Sequence, residues 1–191
     1  MPKVAEFKLQ GAEARAEQLA IAVALADLGA RPRVIALLAG VVEKDARSIY
    51  TERNGKAASP GALPYSVDAI LKNDAQRLHA AMLLGKYVQL KNLQLRHVDA
   101  FIKSYAWYDV QFGRDVISID QFDHLVKLFA MNNANLLRCE SCESLMFVTK
   151  PGLCKCPVCK KLKAVGLQSK RRRATRFISV QEFRGGKKAA A

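Results

Sequence analysis

The sequence predicts a mostly α-helical protein that ends in a small cysteine-rich module and a basic tail. Apolar side chains recur at helical spacing through the first two thirds of the chain, four of the five cysteines form two close pairs, and basic residues crowd the C-terminus. We therefore expect a helical body over residues 1–135, a cysteine module over residues 136–165 and a basic tail over residues 166–191.

The body shows helical periodicity along most of its length. From Gly11 to Leu28 the chain is rich in Ala, Leu and Glu, its apolar residues are spaced three and four apart, and Gly29 is a typical residue at a helix end. One or two further helices are predicted over Ser66 to Leu90, and one each over His97 to Phe112 and Ser118 to Asn133. No alternating strand pattern precedes residue 140, so we expect the body to be all-helical.

Residues 32–53 match a helix-turn-helix template. Pro32 suits a first helical turn, Ala36 would let two helices approach, and Gly40 falls where the turn needs a positive φ. The second helix, from about Lys44 to Arg53, would expose side chains able to reach base edges or phosphates. These candidates for DNA contacts are Lys44, Asp45, Arg47, Ser48 and Thr51. An ordinary αα-hairpin whose glycine ends a helix fits the same pattern.

The cysteines form two C-x2-C pairs, Cys139 with Cys142 and Cys156 with Cys159, separated by thirteen residues. A gap of two residues lets the backbone turn so that both sulfurs face one point, and two such turns supply the four thiolates that Zn²⁺ binds tetrahedrally. We therefore predict a zinc-ribbon-like module holding one structural zinc per chain. With four protein ligands the site would be closed, which excludes a catalytic role.

Other uses of paired cysteines fit less well. A disulfide framework needs an oxidising compartment, thioredoxin-like chemistry needs a βαβ pattern, and iron–sulfur clusters usually show other spacings. Lys150-Pro151-Gly152 reads as the turn between the pairs. The fifth cysteine, Cys154, would leave a gap of four residues to Cys159, so we take Cys156 as the ligand and Cys154 as a free thiol.

The charge of the chain is uneven. The net charge is +14, and from Lys160 to Ala191 there are eleven basic residues and one acid. A basic tail on a nearly balanced body suggests a polyanionic partner, although a simply solvated tail has the same composition. We expect phosphate contacts from Lys170, Arg171, Arg172, Arg173 and Arg176.

No segment is apolar for long enough to cross a membrane, and no secretory signal opens the chain, which predicts a cytoplasmic protein.

Catalysis finds no support in the sequence. The three histidines, His79, His97 and His124, are not spaced as ligands with each other or with a cysteine, and the chain has no nucleophile motif and no phosphate loop. We predict that the protein is not an enzyme.

Taken in order, these segments resemble the FlhC family, the C subunits of the bacterial flagellar master transcriptional activator. The resemblance rests on LADLGARPRVIALLAGV, on GALPYS at Gly61 to Ser66, on HVDAFIKSYAWY at His97 to Tyr108, on the four paired cysteines and on KRRRATRF. It implies a zinc-stabilised subunit that joins an FlhD-like D-type partner in a hetero-hexamer, binds double-stranded promoter DNA and recruits RNA polymerase.

Two alternatives remain open. Similar subunits on conjugative plasmids and integrative elements switch on transfer genes, and nothing in the sequence decides between the two regulons. A zinc-containing protein whose tail binds RNA is a second alternative. Aromatic rings among the tail's charges would favour base stacking, and only Phe177 and Phe183 lie there.

Overall fold

The computed structural model describes residues 3–61, 66–149, 156–164 and 176–178. Eight helices and three strands lie within these ranges. They are α1 (Lys3–Asp27), α2 (Pro32–Ala39), α3 (Glu43–Asn54), α4 (Val67–Ile70), α5 (Asp74–Asn92), α6 (His97–Phe112), α7 (Ile119–Ala130), β1 (Asn135–Arg138), β2 (Leu145–Val148), α8 (Pro157–Ala164) and β3 (Arg176–Ile178). The predicted fold class, a mostly helical chain with a C-terminal four-cysteine cluster, is confirmed.

The chain forms two compact units, Met1–Ala62 and Leu63–Ala191. Within the second unit, α5 packs against β2, α8 and β1. The later helices and the cysteine module therefore share one unit. The predicted boundaries at residues 135 and 165 stay a prediction.

The first unit is a bundle of α1, α2 and α3, each of which packs against the other two. Helix α1 begins at Lys3, earlier than the predicted start at Gly11, because most of residues 3–10 are good helix formers. It ends at Asp27. Gly40 follows α2 with φ +69°, as the helix-turn-helix template requires, and a Cβ there would lie 3.3 Å from the amide nitrogen of Gln18. The core contains Leu25, Ile35 and Ala46, all fully buried.

The second unit has a core of aromatic residues. Helices α5, α6 and α7 surround Phe101, Tyr105, Tyr108 and Phe122, each of which is fully buried. The segment over Ser66 to Leu90, predicted as one or two helices, forms two, α4 and α5. It divides there because Asn73 caps α5: its side chain accepts the Gln76 N–H, and the Gln76 side chain accepts the Asn73 N–H.

A small antiparallel sheet follows the helices, with strand order β2-β1-β3. Leu136 pairs with Phe147 on one side of β1 and with Ile178 on the other. Strand β1, at Asn135–Arg138, opens the predicted cysteine module, although the sequence shows no alternating strand pattern before residue 140. Both leucines of β1 are buried, so the strand lacks the alternation that marks a half-exposed strand.

The helices in the described ranges include none that is both long enough and apolar enough to span a membrane.

Candidate metal centre and nucleic-acid interface

The four paired cysteines come from two neighbouring pieces of structure. Cys139 directly follows β1, and Cys142 lies in the turn that leads to β2. Glu143 adopts φ +58° in this turn, and the Cys139 N–H donates to the Ser144 carbonyl at 3.0 Å. Cys156 immediately precedes α8, and Cys159 lies in its first turn. The first pair is thus held by a hairpin and the second by a helix start.

Their sulfurs converge on one point. Cys139 Sγ lies 3.6 Å from Cys159 Sγ, and Cys142 Sγ lies 3.6 Å from Cys156 Sγ. All four Sγ atoms lie within 4.8 Å of one another. A tetrahedron with metal–sulfur bonds of about 2.3 Å has edges of about 3.8 Å. The four cysteines are therefore close enough to one another to hold a metal ion.

The surroundings of the cluster are apolar. Cys139 and Cys156 are buried with Leu137, Met146 and Val148. Burial raises the pKa of the Cys156 thiol and of the Cys159 thiol. Burial also acts to raise the pKa of Cys142, but hydrogen bonds from the hydroxyl and N–H of Ser144 lower it to about 7. Four thiolates at this place need a cation to balance their charge.

The hairpin that the described residues form in this module joins β1 to β2. Its strands, β1 and β2, enclose the first cysteine pair, so the observed turn is the C-x2-C segment itself. The predicted turn at Lys150-Pro151-Gly152 and the free thiol Cys154 lie outside the described residues. The sequence missed this because β1, which has no alternating pattern, was not recognisable as a strand.

The cysteine module is tied to α5 by an ion pair and by close packing. Lys160 Nζ of α8 donates to Asp74 Oδ2 of α5 at 2.7 Å, and this hydrogen bond lowers the pKa of Asp74. A Cβ on Gly85 of α5 would lie 2.7 Å from Leu145 Cδ1 of β2. The absence of a side chain at Gly85 therefore lets the hairpin approach the helix.

Helix α3 presents the predicted DNA-contacting side chains to solvent. Lys44, Arg47, Ser48 and Thr51 are all exposed, and Asp45 is half-buried. The Ser48 hydroxyl donates to the Lys44 carbonyl at 3.3 Å, and the Thr51 hydroxyl donates to the Arg47 carbonyl at 2.9 Å. The arrangement leaves these side chains on one accessible stretch of the helix, as the template predicts. Whether they contact DNA stays a prediction.

Helix α3 carries equal numbers of acidic and basic side chains, whereas the helix-turn-helix template considered only those that could contact DNA. Three acids, Glu43, Asp45 and Glu52, stand beside three bases, Lys44, Arg47 and Arg53. Arg47 donates to the Glu43 carboxylate one turn earlier. General attraction to phosphates is therefore not a property of this helix, and a base contact by Arg47 requires that it leave Glu43.

The C-terminal end of α3 is fixed to α1. Arg53 donates to both carboxylate oxygens of Asp27, at 2.6 and 2.9 Å, and this interaction raises the pKa of Arg53. The Asn54 side chain donates to the Ala26 carbonyl at 3.1 Å. Arg53, which closes the predicted helix, thus has a structural contact within the first unit.

Most of the predicted phosphate-contacting residues of the tail lie in a part of the chain that the structure does not describe. Lys170, Arg171, Arg172 and Arg173 lie outside the described residues. Arg176 begins β3, where its backbone is paired with Arg138 of β1. Arg138 is exposed and was not among the predicted residues, because nothing in the sequence joins it to the basic tail.

Comparison with known proteins assigns the chain to a family. A sequence profile described as "Flagellar transcriptional activator (FlhC)" matches residues 10–174. The chain belongs to the FlhC family. The match includes residues of both compact units and all four paired cysteines, and it confirms the resemblance noted from the sequence motifs.

Two FlhC relatives show how similar this sequence is to other members of the family. The flagellar transcriptional regulator FlhC of Gallionella capsiferriformans (strain ES-2) is 31% identical over 140 residues, which is 70% of this chain and 76% of that protein. The flagellar transcriptional regulator FlhC of Verminephrobacter eiseniae (strain EF01-2) is 29% identical over 152 residues, 77% of this chain and 82% of that protein. FlhC is thus a family of transcriptional regulators, not one named for an enzyme activity.

Proposed function

We propose that this FlhC-family protein is the DNA-binding subunit of a heteromeric activator of flagellar genes, working in the cytoplasm. The observation that carries the proposal is the family match over residues 10–174. The convergence of four cysteine sulfurs and the exposed helix-turn-helix segment support it. In this proposal the protein binds double-stranded promoter DNA together with an FlhD-like D-type subunit, in a hetero-hexamer that recruits RNA polymerase.

The metal centre would hold one Zn²⁺ through Cys139, Cys142, Cys156 and Cys159. All four positions of a tetrahedral ion would be filled by protein sulfur, so the ion would act in folding. Bound zinc would balance the thiolate charge in an apolar setting. It would also tie the β1–β2 turn to α8, and through Lys160 to α5.

Two regions would divide the work on DNA. The run from Lys170 to Arg173, with Arg176, would contact phosphates and supply affinity without regard to sequence. This run closely precedes β3 in the chain, and β3 is paired with β1 of the cysteine module. The exposed side chains of α3, above all Arg47, would read base edges in the major groove.

The partner is supported by the family resemblance and by exposed apolar side chains. Leu37 and Val42 in the first unit are 62% and 70% exposed, and Val110 in the second is 83% exposed. Large apolar side chains at the surface are candidates for contact with another protein. We therefore expect the isolated subunit to be poorly soluble, and co-expression with the D-type subunit to give a defined hetero-oligomer by light scattering.

A binding experiment tests the whole proposal. The co-purified complex is titrated against a flagellar promoter duplex, a transfer-gene promoter duplex, a scrambled duplex and a single-stranded RNA of equal length. We expect the promoter duplex to bind most tightly. Preference for the RNA would instead favour a zinc-containing RNA-binding protein, and preference for transfer-gene promoters would favour a conjugative regulon. A well-behaved monomer that ignores the co-expressed partner would contradict the partner assignment.

A further inference from the structure

The hydroxyl of Ser144 lies between two sulfurs of the cysteine cluster. Ser144 Oγ is 2.9 Å from Cys142 Sγ and 3.3 Å from Cys156 Sγ. The Ser144 carbonyl accepts a hydrogen bond from the Cys139 N–H at 3.0 Å. A single residue outside both C-x2-C motifs therefore contacts three of the four cysteines, including a member of each pair.

The direction of these hydrogen bonds follows from the chemistry of a loaded site. A thiolate that binds a metal has no proton and can only accept hydrogen bonds, whereas the Ser144 hydroxyl can donate one. The shorter distance favours donation to Cys142 Sγ, and Cys156 Sγ is within reach if the hydroxyl rotates. Hydrogen bonds to a charged acceptor are stronger than those between neutral groups.

We propose that Ser144 is a positioning residue of the metal centre: its hydroxyl donates a hydrogen bond to Cys142 Sγ, or after rotation to Cys156 Sγ, and so stabilises the charge of one thiolate at a time when the pair, 3.6 Å apart, binds metal. The inference rests on the proposed zinc site and adds a residue that the cysteine motif does not contain. Groups that hydrogen-bond to metal ligands typically alter metal affinity by about 10–100-fold. We expect Ser144→Ala to weaken zinc binding within that range.

The test uses the full chain and zinc alone as the probe. Zinc affinity is measured by competition with a chromogenic chelator for the wild type, Ser144→Ala, Ser144→Thr and Ser144→Val. Thr and Val have nearly the same shape and differ in the hydroxyl, so this pair isolates the hydrogen bond. Thr149→Val is the control, because it removes a hydroxyl just beyond β2 in the same hairpin. The cobalt-substituted proteins give a second readout, the thiolate-to-metal absorption band.

The possible outcomes distinguish a failure of the Ser144 proposal from a failure of the proposed zinc site. We expect affinity to fall at least about tenfold in Ser144→Ala and Ser144→Val, to recover in Ser144→Thr and to stay unchanged in Thr149→Val. Equal affinity of the Thr and Val variants would overturn the role of Ser144 while leaving the zinc site intact, even if the Ala variant folds poorly. A wild-type chain that binds no zinc would overturn the metal site, and with it this inference.

Discussion

Lys160 Nζ and Asp74 Oδ2 are joined by a hydrogen bond of 2.7 Å across 86 residues of sequence. Lys160 follows Cys159 directly in α8, and Asp74 is the first residue of α5. The carboxylate is placed at the positive end of the α5 dipole as well as beside a lysine. The second cysteine pair is therefore linked to the longest helix of the second unit.

Removal of the metal should destabilise the module first and then its packing on α5. Structural zinc in finger peptides contributes on the order of 10–16 kcal/mol of apparent binding free energy, so the loss of one thiolate should unfold the segment. We expect Cys156→Ser to lose zinc in elemental analysis and to lower the thermal midpoint. Cys154→Ser is the matched control and should retain zinc. The assignment is falsified if Cys154→Ser loses zinc while Cys156→Ser keeps it.

Acid should weaken the second unit through its histidines. Burial lowers the pKa of His79, His97 and His124 in the folded chain. Just below pH 6.5 the unfolded chain therefore binds more protons than the folded chain. The stability that comes from these neutral histidines is fully present above that pH and is lost as the pH falls through their lower pKa values in the folded chain. We expect the free energy of unfolding to fall between pH 7.5 and 5.5 in chemical denaturation.

Two controls separate the histidines from the metal. His79 Nδ1 is 2.9 Å from the Tyr108 hydroxyl, and a glutamine in its place could keep a hydrogen bond without titrating. His79→Gln should therefore reduce the slope of stability against pH. Zinc retained after gel filtration at pH 5.5 shows whether the cluster is still loaded. A flat stability profile with the zinc retained would contradict the prediction.

Bulk at Gly85 should disturb the contact between α5 and β2. A valine there would meet Leu145 Cδ1, which lies 2.7 Å from the position of a Cβ. Overpacking of a buried position costs typically about 1–3 kcal/mol, and we expect Gly85→Val to lower the free energy of unfolding, measured by chemical denaturation, by that amount. Gly85→Ala should cost less, because better helix propensity offsets the shift of one methyl group. Gly11→Ala, with nothing within 4 Å of its Cβ, serves as the open-space control and should not destabilise.

Local patterns predicted much of this structure, and contacts between distant segments accounted for what was missed. The C-x2-C spacing brings two sulfurs together within four residues, so the cluster could be anticipated from the motif alone. Gly40 and its positive φ were equally local. By contrast, β1 depends on its pairing with β2 and β3, and the contact of Lys160 with Asp74 depends on how α8 packs on α5. Ser144 was missed because a serine near a cysteine carries no recognisable signal.

The basic run should govern DNA affinity without affecting sequence preference. Each phosphate contact adds about 0.9 to the slope of log affinity against log salt concentration. Replacing Arg171, Arg172 and Arg173 by Ala should weaken promoter and scrambled DNA alike and reduce that slope by about 2–3. Binding is measured by fluorescence anisotropy at several salt concentrations. An unchanged salt slope would show that these arginines do not contact phosphates.

Arg47 should behave differently, because a base contact carries sequence preference. We expect Arg47→Ala to cost about 1–3 kcal/mol on the cognate promoter and little on scrambled DNA. Glu43 holds the Arg47 guanidinium in an exposed ion pair, which is worth less than about 1 kcal/mol. Glu43→Gln weakens that pair and removes a negative charge next to the proposed interface, so it should tighten binding to the promoter. If Arg47→Ala leaves DNA affinity unchanged but dissociates the hetero-oligomer, α2 and α3 form a docking hairpin for the partner, and base reading lies elsewhere in the chain.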